Sequence, residues 1–228
     1  MSDDAIRNRK TSLAIYSALV LWTAAVAVMS PSSPSSVLRE IAWPQVALAA
    51  LGFLGVMLLR KASLPDLWNA AGPKRILALP FLVGAMFGCI NVICMQWLMP
   101  VERGAPMPPF LQPFPWSLAV FSAGAVVMEA MFCLIPLPLV TAGLRRISRS
   151  TSANGPFLIA GGLVVSAQTF VLFQEIPSQV RILVLFLAGL SLVQVILFRR
   201  FGYLASLSTR LGHYAVWHIG FGLWFQRG

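Results

Sequence analysis

Between its charged residues this chain runs uncharged at 11–38, 41–59, 76–101, 104–128, 130–144, 150–174, 182–198 and 211–226. A membrane-spanning helix needs about 20 largely apolar residues, with roughly 17–25 tolerated. Joining the two runs either side of Glu129, and dropping the proline-rich start of the first, gives seven candidate helices. They fall near 12–30, 41–59, 76–99, 116–144, 156–175, 181–198 and 203–225. Only helices and closed barrels satisfy their backbone groups in lipid. The expectation is an all-α, polytopic transmembrane bundle, one integral membrane domain over residues 1–228. Charge occurs at 11% of positions, against roughly 25% in a soluble domain.

The net charge of +10 raises the question of nucleic acid, and its placement answers it. Arg7, Arg9 and Lys10 precede helix 1, and Arg60, Lys61, Lys74 and Arg75 separate helices 2 and 3. Arg145, Arg146 and Arg149 follow helix 4, and Arg199 and Arg200 follow helix 6. The alternate connections and the C-terminus hold only Arg39, Arg103, Arg181 and Arg227. This is the positive-inside pattern. It predicts a cytoplasmic N-terminus, an outside C-terminus and a bacterial inner membrane. The bilayer is then the partner the basicity serves, and no nucleic acid is expected.

The first apolar run, about 19 residues, exceeds a signal-peptide core of 7–15 and reads as a retained anchor. Residues 60–75 contain Leu64, Leu67 and Trp68, which suits a short amphipathic helix on the membrane surface. The six prolines of 100–115 require an irregular outer loop placed to cap the bundle mouth. Gly84 and Gly88 fit a small-xxx-small packing motif. Cys89, Cys94 and Cys133 read as small core residues, since an odd count at bilayer depth makes no disulfide framework. Trp97, Trp116, Trp217, Trp224 and Phe225 read as an interfacial belt.

The unusual chemistry lies late in the chain. Glu129 is the lone carboxylate of an apolar helix, Gln168 and Gln174 lie on the next, and Arg210, His213 and His218 lie on the last. Ionisable residues in membrane helices are costly to insert and face partners or tasks. From the cytoplasmic helix ends, Glu129 comes out ~22 Å deep, Gln174 ~27 Å, His218 ~24 Å and Arg210 ~12 Å. Glu129, Gln174 and His218 thus share a depth, and Arg210 needs helix tilt to reach Glu129. Around its helix, His213 is about 60° behind Arg210 and His218 about 80° ahead. The bland reading is that these groups satisfy one another as a buried polar network holding helices 4, 5 and 7 together, with Arg210, His213 and Gln168 in support of Glu129. A metal is not expected: zinc sites usually take three protein ligands, and His213 and His218 stand about 140° apart around one helix. No other cofactor is implied.

A glutamate helix, then F-x-x-x-polar, then a histidine helix resembles the CPBP family of CAAX-type intramembrane proteases and bacteriocin-processing relatives. The family's E-E-x-x-x-R overlies Met128 to Cys133, and its F-x-x-x-H overlies Phe170 to Gln174. The R-x-x-x-Y-x-x-W-H variant of its last motif overlies Arg210, Tyr214, Trp217 and His218, after a basic turn at Arg199 and Arg200. His213 is the alternative for the family histidine. The likeness spans about 116–222, and residues 12–99 would be extra N-terminal helices. It implies a protease core in which Glu129 activates water while His218 and Gln174 serve the substrate carbonyl.

The departures are as informative. Met128 stands where the family has its first glutamate, Cys133 for arginine, Gln174 for the first histidine and Gly222 for the final polar residue. The expectation is therefore a CPBP-like pseudoenzyme that serves as a membrane scaffold or partner-binding subunit for a membrane protein or peptide. The alternative is an active glutamate-dependent endopeptidase. A small transporter is a third class, without the discontinuous-helix signature that would support it.

Overall fold

The computed structural model describes residues 3–30, 41–68, 72–98, 111–148, 154–175 and 181–226, with Pro100 and Ser152. Among them, helices are the only regular elements, forming seven rods. They are α1 (Asp3–Met29), α2 (Trp43–Leu58), α3 (Lys74–Leu98), α4 (Trp116–Ser148), α5 (Asn154–Glu175), α6 (Ile182–Phe201) and α7 (203–226). The expected all-α membrane bundle is the observed architecture.

Five rods are long and apolar enough to cross a membrane: residues 8–29 of α1, all of α3 and α4, 154–174 of α5, and α6. Trp43–Leu58 is apolar but shorter, at 16 residues. The last rod, α7, is long but polar, and its position explains how it can be. Ten residues of its first segment, Tyr203–Tyr214, are buried, Arg210 and His213 among them. A helix enclosed by others can carry polar groups that lipid would not accept.

The tightest seam joins α3 to α7. A Cβ on Gly84 would sit 1.8 Å from the Thr209 carbonyl oxygen, and one on Gly212 would sit 2.0 Å from that of Phe81. A Cβ on Gly88 would meet Val216 and the His213 carbonyl. The small-residue spacing of α3 is thus the backbone-to-backbone bearing for the buried helix. The opposite face of α3, with Leu82, Met86, Ile93 and Trp97, is exposed and suits lipid.

The basic connections gather at one end. Arg145 donates to the Lys61 carbonyl at 3.1 Å and to the Ser63 hydroxyl. Arg199 donates to the Ser63 carbonyl at 2.8 Å and to Asn154 Oδ1 at 2.9 Å. The Trp68 N–H donates to Ser12 in α1. The start of α1, the α2–α3 connection, the end of α4, the start of α5 and the end of α6 therefore meet.

Three local expectations need correction or limits. Residues 60–68 form no amphipathic surface helix. Ser63 takes the left-handed conformation (φ 54°) and Pro65 follows, so the chain turns and buries Leu64 and Leu67 in the core. Only Cys133 is a buried cysteine, whereas Cys89 is exposed and Cys94 intermediate. Most of the proline-rich loop, and Arg39, Arg103, Arg149 and Arg227, lie outside the described residues. The described part of that loop does pack on the end of α7: Leu111 is buried with Phe221 and Phe225, and the Phe114 N–H donates to Gln226.

Candidate functional site

Glu129 ends the first α-helical segment of α4, immediately before the π-wound turn Ala130–Leu134. Its side chain is wholly buried. Oε1 accepts from Arg210 Nε at 2.6 Å and from the Gln194 amide, and Oε2 accepts from the Ser206 hydroxyl at 2.7 Å. The Gln194 Oε1 in turn accepts from Arg210 Nη2 at 3.3 Å, and its amide also reaches the Ser206 carbonyl at 3.4 Å. Four side chains from α4, α6 and α7 thus close a compact ionic knot. Both oxygens of the carboxylate are held by donors, and a guanidinium balances the charge.

The depth estimate had set Arg210 well short of Glu129, and the structure explains why they meet. It took each helix to start at one common plane. In fact Ser206, in the first turn of α7, already lies beside Glu129, and Tyr203 Oη reaches the Val126 carbonyl at 3.5 Å. The 33-residue α4 is ~50 Å long, against a hydrocarbon core of roughly 30 Å, and runs on past the start of α7. Arg210, not His218, is the α7 residue at the level of the carboxylate.

The other residues singled out by sequence are dispersed. His213 is buried and pairs through Nε2 with the Asn91 amide at 2.8 Å, tying α7 to α3. Its Nδ1 and Asn91 Oδ1, also buried, find no hydrogen-bond partner among the described residues. His218 is half-buried in a nest of rings: it stacks on Phe121 at 4.1 Å between centroids and meets Tyr214 edge-on at 4.7 Å. Phe121 is two turns along α4 from Glu129, ~12 Å by helical rise. Gln168 is buried on α5, and Gln174 is exposed near that helix's end. The described hydrogen bonds of Glu129 come from α6 and α7 and include neither glutamine. Among the described residues no group of three or more His, Cys, Asp or Glu is placed to hold a metal.

Gln194, Ser206 and Asn91 were missed by the sequence reading. Gln194 carried a usable signal, being a lone amide in the apolar helix α6, where a polar residue marks a helix–helix bond. Ser206 carried none, since serines are common in such helices and only the fold shows which one faces a carboxylate.

No protein-family model, curated protein or solved structure matches this chain.

Proposed function

We propose that this chain is a non-proteolytic, CPBP-like membrane scaffold that holds a membrane protein or peptide partner. The observation that supports the reading is the state of Glu129. A general base needs a lone pair within reach of water or substrate. Here the carboxylate is fully buried, ion-paired and bonded by three donors. His218 stands among rings and Gln174 is exposed, so the constellation required by the protease reading is not assembled around it. What remains of the motif ties helices together. On the positive-inside rule, the gathered basic end faces the cytoplasm, with the N-terminus inside, the C-terminus outside and the bacterial inner membrane as the setting.

The test compares membrane-proteome N-termini in three strains: intact, deleted, and deleted but expressing Glu129→Gln at normal level. The scaffold reading expects unchanged cleavage products throughout. It also expects a membrane protein that copurifies with the chain and falls in the deletion strain, and that recovers with Glu129→Gln in proportion to the folded variant that accumulates, since the change strands Arg210. Products lost in both altered strains would establish the endopeptidase instead and identify its substrate.

A further inference from the structure

We propose that the seam between the first turns of α3 and the second turn of α7 seats one anionic phospholipid, its phosphate on Lys74 and an acyl chain in the groove beneath. The groove has a volume of about 500 Å³ and is lined by Leu77, Ala78, Phe81, Leu82 and Ser208, with Lys74 among its lining residues. Leu77, Phe81 and Leu82 are large exposed apolar side chains. Its size lies within the range of small-molecule sites, ~300–1,000 Å³.

Two features separate this groove from ordinary lipid-facing surface. The first is local shape. Residues Lys74–Ala78 are wound as a π-helix, and the Ser208 hydroxyl, which lines the groove, donates to the Leu77 carbonyl at 2.8 Å. The floor is thereby left without a free hydroxyl donor, as an acyl chain requires. One turn further along α7, Gly212 brings the two backbones together at the Phe81 carbonyl, and Lys74 supplies a cation among the groove's otherwise largely apolar lining.

The second is charge. At this end of the bundle Lys61, Lys74, Arg75, Arg146 and Arg200 are all exposed. Asp66 in the α2–α3 connection is taken by Arg60 at 3.1 Å. Among the described side chains no carboxylate pairs with Lys74. A phosphate diester carries the missing charge, and basic pockets between transmembrane helices are where anionic head groups bind. Neutral head groups satisfy the groove but not the lysine, and an acidic soluble ligand satisfies the lysine but not the groove.

The experiment uses the full chain in detergent with dioleoylphosphatidylglycerol or dioleoylphosphatidylcholine as the probe. It reads bound lipid by native mass spectrometry and the shift in melting temperature. One phosphatidylglycerol should be retained and should raise the melting temperature, with phosphatidylcholine much weaker. Lys74→Glu should cut that retention roughly tenfold, as expected for reversing one surface charge near an anionic head group. Ala78→Trp, which fills the slot without altering charge, should abolish it. Both positions are exposed, so lipid-free melting temperatures close to the parent's will show that the fold is kept. A photocrosslinker at Leu82 should label lipid in native membranes. Equal retention of the two lipids, unchanged retention in both variants, or crosslinking of Leu82 to a protein would overturn the proposal.

Discussion

Glu129 and Arg210 depend on one another in a way neither residue shows alone. Removing one member of a buried pair strands the other charge and costs about 3–5 kcal/mol. Arg210→Met should therefore destabilise the protein by roughly that amount, read by detergent-titrated unfolding. Replacing both partners, as in Glu129→Met with Arg210→Met, should cost clearly less than the sum of the single changes, with a coupling of up to about 3 kcal/mol. If the single costs simply add, the ionic knot is not the unit described here. Gln194 offers a sharper contrast. Gln194→Leu deprives Arg210 and Glu129 of a partner at once and should cost about 1–3 kcal/mol, whereas exposed Gln174→Leu should stay within about 0.5 kcal/mol. The sequence displayed Glu129 and Arg210 because charge is rare in apolar helices. It did not rank one glutamine above another, since which amide meets a carboxylate depends on how helices are rotated and staggered. Gln174 drew notice through its place in the F-x-x-x-polar pattern, while Gln194, the lone amide of α6, did not.

At the scale of elements, the α3–α7 seam carries its own prediction. Gly84→Val and Gly212→Val each place a side chain where a carbonyl oxygen already lies within about 2 Å of the Cβ position, so the helices must part. Both should lower the melting temperature sharply or abolish accumulation of folded protein. Gly124→Ala, at a position where a Cβ meets nothing within 4 Å, should be neutral or stabilising by up to about 1 kcal/mol from helix propensity. Helix positions were legible because lipid demands long apolar stretches: the observed rods start and stop within about four residues of the seven candidate helices, except that α1 begins nine residues earlier, at Asp3. The stretch 60–68 was not legible. Its leucines suit an amphipathic helix in isolation, and only the packed core supplies an alternative place for Leu64 and Leu67. Helix stagger escaped the sequence for a related reason: counting from charged ends fixes lengths and leaves each helix free to slide.

For the whole molecule, the gathering of basic connections at one end has a direct readout. On the proposed orientation, a phosphatase fused after Gly228 should be active on the outer side, and a reporter fused before Met1 should be accessible only after membrane disruption. The reverse pattern would invert the bundle without altering the packing described above. The same polarity places Lys74 in the leaflet richer in anionic lipid on cytoplasmic faces.

Gly202 (φ 88°) is the sole residue between α6 and α7, and a Cβ there would crowd the Asp66 carbonyl at 2.7 Å. That single-residue link has a consequence for biogenesis. Of the described rods α7 is made after the other six, and it carries Arg210 and both histidines. The one-residue link makes α6 and α7 a hairpin, and Gln194 on its first arm bonds Arg210 on its second. The carboxylate it needs was synthesised 81 residues earlier and has been waiting in α4. Among the described helices α7 thus follows every helix it bonds to, and translation order becomes part of how they close on one another.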